Sequence, residues 1–269
     1  MPFYELRKGD QIVWILGTFH AGRSGESLSS GVVEKLLQSR ALVLELSDTE
    51  IFNAAMLMAS ALCADECLKN EVTPLMLNRL KEAYGNLFLA SGGIERAPLW
   101  LVSIMGDAAD IEKSGLKAEL GTEMLLRLAA APRGMPVIGL ETAAEQFAVF
   151  RLMPNAMLRE MVEVTVLQTP EAKRIAGIQA LHAMWKEGDA DKLFHYYLSE
   201  AKKIGIKDSI MQYYNGEMIT KRNRRMVDRM KPYITEGRPL FVAVGALHLG
   251  GEEGILSLLK KEGFTVVRQ

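Results

Sequence analysis

Cysteine is scarce in this 269-residue chain, which contains only Cys63 and Cys67. The two cysteines are four residues apart in a segment, Ile51–Leu68, whose composition predicts a helix. That spacing would place both side chains on one face of the helix, near the distance limit for a disulfide bond. Because either a disulfide or two partly buried thiols fits this pattern, cysteine content does not fix the cellular compartment.

An excess of one charge and a long apolar run are also absent. The 32 basic and 33 acidic residues give a net charge of −1, so nucleic acid is not an expected partner. No apolar run approaches the roughly 18 residues of a membrane span, and the start of the chain does not resemble a signal peptide. We expect a periplasmic or exported protein if a leader was removed, and otherwise a cytoplasmic one.

Apolar residues make up 49% of the chain, which is enough for a substantial core. Two similar units lie near its ends. In the first, the strand-like run at 12–16 is followed by GTFHAG (17–22), a helical pattern at 32–37 and the run ALVLEL (41–46). In the second, LFVAV (240–244) is followed by GALHLG (245–250), a helical pattern and a strand at 264–267. Each unit reads as β-α-β, which favours parallel strands.

A further strand, PVIGL (136–140), lies between the two units. The sequence therefore predicts an α/β fold in one domain spanning 1–269, with a mixed sheet and a large helical insertion. The sheet-forming parts are 1–48, 134–142 and 238–269, and the mainly helical parts are 49–133 and 143–237. Helices are predicted over the following ranges: 51–68, 74–89, 120–130, 142–167, 171–187, 190–203 and 209–230.

Two of the four histidines, His20 and His248, occupy the matching turns after strands. Ligands of open α/β sheets bind at the carboxyl ends of the strands, and glycine in the turn permits close backbone approach. If both units share one sheet, the two imidazoles converge. Taken singly, each histidine could equally have a structural role. The other two, His182 and His195, lie in helical patterns beside aromatic residues and are expected to pack or to face solvent.

Two glutamates follow strands in the same way. Glu45 interrupts ALVLEL, and Glu141 ends PVIGL. A buried glutamate is costly unless it is paired or binds a metal, so a salt bridge is one interpretation. The other is a divalent metal site formed with His20 and His248, suited to Zn²⁺, Mn²⁺, Fe²⁺ or Co²⁺. A remaining glutamate could then act as a general base.

Two other clusters have two interpretations each. The basic run KRNRR (221–225) is either a solvated helix face or the source of an arginine that turns inward to the site. The methionine-rich stretch MLMAS (56–60) is either core, the interpretation that we favour, or an adaptable groove for an apolar peptide.

The sequence resembles the TraB/PrgY/GumN family, which includes the Tiki proteins, over nearly its whole length. The resemblance rests on several short motifs that are weak alone and specific together. They are WILGTFHAG (14–22), ALVLEL (41–46), PLWL (98–101), LGTE (120–123), GLETAAEQ (139–146), WKEGD (185–189), RNRRM (222–226) and VGALHLGGEEGILSLLKKEGFTV (244–266). In LGTE, Glu123 stands where the family usually has aspartate.

This resemblance implies a core related to the erythromycin-esterase and ChaN-like groups, and a metal-dependent hydrolase acting on peptides or protein N-termini. It implies Mn²⁺ or Co²⁺ rather than Zn²⁺. We expect His20, Glu45 and His248 to bind the metal, and Glu141 to support them or act as general base. Arg222 would hold a substrate carboxylate or stabilise an oxyanion. Catalytic residues are thus His20, Glu45, Glu141 and Arg222, and substrate-binding residues are Arg222, Asn223 and Glu123.

Two alternative functions fit the same residues. The same residues could support metal-independent ester hydrolysis, with His20 as the base that activates water. The chain could also bind a peptide or haem without turnover.

Overall fold

The computed structural model describes residues 1–235 and 237–269. Six strands form one mixed sheet in the order β4-β3-β5-β2-β1-β6. The neighbouring strands β4, β3, β5 and β2 pair in parallel, and β1 pairs antiparallel with both β2 and β6. The strands are β1 (Phe3–Lys8), β2 (Gln11–Thr18), β3 (Leu42–Leu44), β4 (Val137–Gly139), β5 (Leu240–Gly245) and β6 (Thr265–Arg268). All six lie in the three ranges that the sequence predicts to form sheet.

The two terminal units are interleaved in the sheet. Strands β2 and β3 of the first unit point the same way but do not pair, because β5 of the second unit lies between them. The strands of the first unit are therefore parallel, as expected, but do not pair directly with each other. Strand β1 was missed; it forms a hairpin with β2 through Gly9, whose φ of 55° suits a glycine. Interleaving places the turn after β2 directly beside the turn after β5.

Burial on both faces explains the continuous apolar runs in the inner strands. Along β5, Val242 and Val244 pack into one core with residues of the helices Arg222–Met230 and Ile255–Lys261. Phe241 and Ala243 pack into another core with residues of the helices Ser30–Gln38 and Thr122–Ala130. A strand enclosed on both faces has no solvent side, so its sequence shows no polar alternation. A third core lies within the helices outside the sheet.

Helices fill most of the chain between the strands. They are α1 (Ser30–Gln38), α2 (Asp48–Ser60), α3 (Leu68–Glu71), α4 (Pro74–Tyr84), α5 (Leu99–Lys113), α6 (Thr122–Ala130), α7 (Ala143–Arg151), α8 (Asn155–Val162), α9 (Glu171–Lys186), α10 (Ala190–Lys203), α11 (Asp208–Tyr214), α12 (Arg222–Met230) and α13 (Ile255–Lys261). A π-helical segment, 215–221, joins α11 to α12. No helix in the two described stretches has the length and apolarity to cross a membrane.

Several predicted helices differ from the structure at their ends. The predicted helix 51–68 stops at Ser60, so Cys63 and Cys67 lie in a loop and not in a helix; a disulfide joins them. The predicted helix 142–167 is divided near Pro154, because proline disfavours the helical conformation of the residue before it. Helix α5 was not predicted. Helix α4 begins at Pro74, as predicted, and the Thr73 hydroxyl caps it by accepting a hydrogen bond from the Met76 amide.

The methionines of helix α2 do not lie in the core, so the interpretation that we favoured for them is wrong. None of its residues is buried, and Ile51, Phe52 and Met56 are 45%, 66% and 55% exposed. Only Met58 packs against a core, from a partly buried position. The predictions for the two other histidines agree with the structure: His182 is buried between the rings of Phe19 and Trp185, and His195 is exposed. The relation to a ChaN-like core stays a prediction.

Candidate functional site

The candidate site lies at the carboxyl edge of the parallel strands. His20, Glu45, Glu141 and His248 each follow the end of a different parallel strand within three residues. Because these strands are neighbours in the order β4-β3-β5-β2, their ends meet at one edge of the sheet. The four side chains therefore come from distant parts of the sequence to one place in the fold.

His248 is held by Asn223. Its Nδ1 lies 2.6 Å from Oδ1 of Asn223, and Nδ2 of the same amide donates to the carbonyls of His248 (3.1 Å) and Glu253 (2.8 Å). Those two carbonyls fix the orientation of the amide, so its oxygen accepts from His248 Nδ1. The imidazole therefore carries its proton on Nδ1, and Nε2 is unprotonated. Nε2 lies 3.9 Å from Oε1 of Glu45.

His20 is held in a similar way by Glu123. Its Nδ1 lies 2.7 Å from Oε1 of Glu123, which also accepts from the Thr18 hydroxyl at 2.5 Å. The side chain of His20 is 70% exposed, whereas that of Glu123 is 22% exposed. Glu123 thus fixes the ring from the protein side, and Nε2 of His20 stays available to a ligand. Its expected contact with substrate stays a prediction.

Three donors fix the carboxylate of Glu45. Oε1 accepts from the Gly245 amide at 2.6 Å, and Oε2 accepts from Gln146 Nε2 at 2.9 Å and from Arg222 Nη2 at 2.7 Å. The Glu45 side chain is 11% exposed. A buried carboxylate with this many donors is well positioned and stays ionised.

Gly245 marks the place where the three side chains meet. A Cβ added at this residue would lie 3.1 Å from Glu45 Oε1, 3.6 Å from His20 Nε2 and 3.5 Å from His248 Cδ2. The backbone of Gly245 has φ −47° and ψ 132°, which any residue can adopt. Glycine is thus required here for space and not for conformation.

Arg222 joins the two buried glutamates. Its Nε donates to both oxygens of Glu141 at 3.0–3.1 Å, and its Nη2 donates to Glu45 at 2.7 Å and Glu141 at 2.6 Å. Its Nη1 faces the sulfur of Met218 at 2.9 Å, and Arg225 also donates to Glu141, at 2.9 Å. The side chain of Glu141 has no exposed surface. One arginine of the basic run therefore turns inward, as one interpretation predicted.

The pKa values of His20 and His248 differ. The charge of Glu123 and its hydrogen bond raise the pKa of His20 to about 9. Burial lowers the pKa of His248 to about 4. For Glu45, burial favours the neutral acid, but the charges of His248 and Arg222 outweigh it and bring the pKa to about 2. At neutral pH the site thus has an ionised Glu45 beside a neutral His248.

Sequence reasoning missed three supports of this site. They are the Thr18 hydroxyl, the Gln146 amide and the backbone N–H of Gly245. Gln146 is the last residue of the motif GLETAAEQ, so the sequence could have identified it as a candidate site residue. Asn223 was expected to bind substrate, yet it is completely buried and all its amide groups contact protein. In this arrangement it positions His248.

The imidazole nitrogens and carboxylate oxygens of the site are groups that bind divalent cations, but they do not form a complete coordination shell. Within residues 1–235 and 237–269 there is no group of three or more His, Cys, Asp or Glu side chains at metal-binding spacing. Both imidazoles nevertheless use Nδ1 for a protein partner, which is the usual arrangement of metal-binding histidines. Glu45 Oε1 faces the same space beside Gly245. The donor types of these residues therefore fit a divalent ion.

Comparisons with known proteins agree on one family. The sequence pattern of the TraB/PrgY/gumN family matches residues 2–268. The chain is 25% identical over 257 residues to the uncharacterized protein YbaP of Escherichia coli K12, covering 94% of this chain and 89% of that protein. The uncharacterized protein YbaP of Shigella flexneri matches with the same identity and coverage. No solved structure matches the chain significantly.

Proposed function

Because the chain belongs to the TraB/PrgY/gumN family, we propose that it is a metal-dependent hydrolase that cleaves peptides or the N-terminal regions of proteins. One observation carries the proposal: His20 Nε2, Glu45 Oε1 and the ring of His248 surround the space beside Gly245, where no Cβ intrudes. Two imidazoles and one carboxylate leave coordination positions for water and substrate.

The charges around the site favour a cation. Three carboxylates, those of Glu45, Glu123 and Glu141, face two guanidinium groups, those of Arg222 and Arg225. With both imidazoles neutral, one negative charge remains uncompensated. In the metal-free protein a proton on His20 can offset it, and a divalent ion would replace that proton. Mn²⁺ and Co²⁺ accept this mixed set of nitrogen and oxygen ligands.

The surrounding residues would position the ligands. His20, Glu45 and His248 would hold the ion, which would polarise a substrate carbonyl and lower the pKa of water. Glu123 and Asn223 keep each Nε2 directed to the site. Because Arg222 and Arg225 occupy both oxygens of Glu141, the geometry supports a positioning role for Glu141 over that of a general base.

Arg222, like Glu141, has a positioning role in this proposal. Its N–H groups contact Glu45, Glu141 and Met218, and the side chain is 6% exposed. Removing Arg222 would leave the buried Glu45 without its arginine partner and Glu141 with Arg225 alone, at a cost of several kcal/mol. We therefore assign Arg222 to holding Glu45 in place; direct contact with a substrate carboxylate or oxyanion would require one of these bonds to open.

The test is a metal analysis with a matched control. Wild type is compared with His20→Ala/His248→Ala and with His195→Ala, which removes an exposed histidine outside the site. We expect wild type and His195→Ala to retain one equivalent of Mn²⁺ or Co²⁺ and to cleave members of a peptide library, and the double variant to do neither. Equal metal content in all three, with no cleavage, would exclude the hydrolase. Full activity after exhaustive chelation would favour the metal-independent esterase-like alternative, and a haem Soret band without cleavage would favour the binding protein.

A further inference from the structure

A cavity of about 330 Å³ lies beside the turn that carries His20. The turn contributes Ala21 and Gly22 to its wall, and residues at the start of α6 and the end of α9 form other parts of the wall. Ligand pockets commonly range from roughly 300 to 1,000 Å³. This cavity is at the lower end of that range, so it suits a single side chain better than a large cofactor.

The cavity is adjacent to the candidate site on two separate elements. In the turn after β2, Ala21 lines the cavity and directly follows His20; at the start of α6, Thr122 lines the cavity and directly precedes Glu123. His20 and Glu123 are in contact at 2.7 Å. An extended peptide advances about 3.3–3.6 Å per residue, and consecutive Cα atoms lie about 3.8 Å apart. A substrate at His20 would therefore reach the cavity with a side chain close to the scissile bond.

Backbone contacts hold this part of the cavity wall in place. Gly22 and Lys117 exchange backbone hydrogen bonds of 3.0 and 2.8 Å, and the Thr122 amide donates to the Phe19 carbonyl at 3.0 Å. A Cβ added at Gly22 would overlap the carbonyl oxygen of Leu120, so the turn and the segment before α6 are in direct contact. The wall next to the candidate site is therefore formed before a ligand arrives.

Apolar side chains form a large part of the lining. Leu28, Leu120 and Leu125 line the cavity and are only partly buried, so each keeps apolar surface that the protein does not cover. Trp185 also lines it, and the indole N–H of this residue donates to the Gly17 carbonyl at 2.8 Å. An apolar group that entered the cavity would remove this surface from water, which favours binding.

The charged groups at the cavity are paired with each other. Glu26 Oε1 accepts from Lys186 Nζ at 2.8 Å. Glu26 Oε2 accepts from the Arg23 amide at 2.9 Å and lies 3.3 Å from Nε2 of His182. A charged ligand would have to displace one of these contacts, whereas an apolar ligand would leave them intact. The lining therefore favours an apolar ligand over a charged one.

We propose that this cavity is a subsite for an apolar side chain of the substrate, of about the size of leucine, roughly one or two residues from the bond that is cut. The proposal rests on the peptidase function above and adds the substrate class to it. Leu120 and Leu125 would determine the size of side chain that is accepted, and the fixed turn would keep that side chain next to His20.

The test measures binding separately from cleavage. Four fluorescent peptides of glycine and serine differ only at one central position, which is leucine, phenylalanine, aspartate or glycine. Each is titrated into metal-free protein and is then incubated with protein and Mn²⁺. The proteins are wild type, Leu125→Trp, which fills the cavity, and Leu125→Ala, which enlarges it. The control is Leu128→Trp, which adds the same ring to α6 at a position that is 65% exposed. Melting curves confirm that every variant folds.

For wild type and Leu128→Trp, we expect the leucine peptide to bind about ten times more tightly than the glycine and aspartate peptides. Even one methylene changes recognition in an apolar pocket by roughly 10- to 200-fold. Leu125→Trp should abolish this preference, and Leu125→Ala should shift it towards phenylalanine. Mass spectrometry of the products should place the cut within about two residues of the leucine.

Equal binding of the leucine and glycine peptides to wild type would overturn the subsite, and so would an unchanged preference in Leu125→Trp. Should Leu125→Trp fail to fold, the lack of a shift towards phenylalanine in Leu125→Ala would overturn it. A cut farther from the leucine would contradict its position beside His20. Leucine-dependent binding without cleavage would refute the hydrolase alone, and cleavage without a leucine preference would refute the subsite alone.

Discussion

Glu123 contacts Nδ1 of His20, and Asn223 contacts Nδ1 of His248. Each contact orients the ring so that its Nε2 can bind a ligand. Substituting Glu123 with glutamine keeps the shape but removes the charge that orients His20. Losing such a support weakens metal binding by about 10- to 100-fold. We expect that loss in Mn²⁺ titrations of Glu123→Gln, and no change for Glu119→Gln, an exposed acid four residues earlier. Unchanged affinity in Glu123→Gln would show that Glu123 does not support a ligand.

Asn223→Ala should lower the stability of the folded protein more than Glu123→Gln does. Its amide is completely buried and satisfies three protein groups. Leaving buried polar groups without partners costs about 1–3 kcal/mol each. We therefore expect a lower midpoint of urea unfolding together with weaker Mn²⁺ binding. A variant with wild-type stability and affinity would contradict the contacts described for this residue.

The turn after β5 is the element that holds the site open. An alanine at Gly245 can adopt the observed backbone, but its Cβ would lie 3.1 Å from Glu45 Oε1. Gly245→Ala should therefore fold with nearly wild-type stability and bind Mn²⁺ at least tenfold more weakly. The control is Gly177→Ala in α9, where an added Cβ meets no atom within 4 Å. Full metal affinity in Gly245→Ala would mean that the space beside this residue is not the binding position.

The disulfide loop between α2 and α3 is a separate element. Cys63 donates its N–H to the Arg96 carbonyl at 2.8 Å, and Arg96 Nε donates to the Cys63 carbonyl at 3.0 Å. Closing so short a loop contributes about 2 kcal/mol at most in the chain-entropy model. Because the backbone contacts remain, Cys63→Ser/Cys67→Ser should melt a few degrees lower and bind Mn²⁺ normally. Loss of metal binding in the double variant would show that this loop supports the site.

Elements were predictable from the sequence to different degrees. Five of the six strands follow from apolar runs, because a buried parallel strand needs no polar alternation. Strand β1 was missed because FYELRK mixes charged and apolar residues, as an antiparallel strand near the sheet edge allows. Helix ends were less predictable, since α2 stops at Ser60 without a Gly or Pro signal and the disulfide loop follows it.

At the scale of the whole molecule, the sequence indicated that the two ends of the chain share a sheet but not how their strands alternate. The matching GxxHxG turns predict convergence only if β2 and β5 are close, and they prove to be paired. The long-range partners of the two rings, Glu123 and Asn223, could not be identified from the sequence. Their contacts cross 103 and 25 residues of chain and depend on how α6 and α12 pack against the sheet.

The central claim is that both turns contribute one ring each to a single metal position. Anomalous diffraction from crystals grown with Mn²⁺ locates the ion directly. We predict one strong peak beside Gly245, within about 2.5 Å of His20 Nε2, Glu45 Oε1 and His248 Nε2. A peak bound elsewhere, or rings that remain apart with Mn²⁺ in excess, would contradict the account.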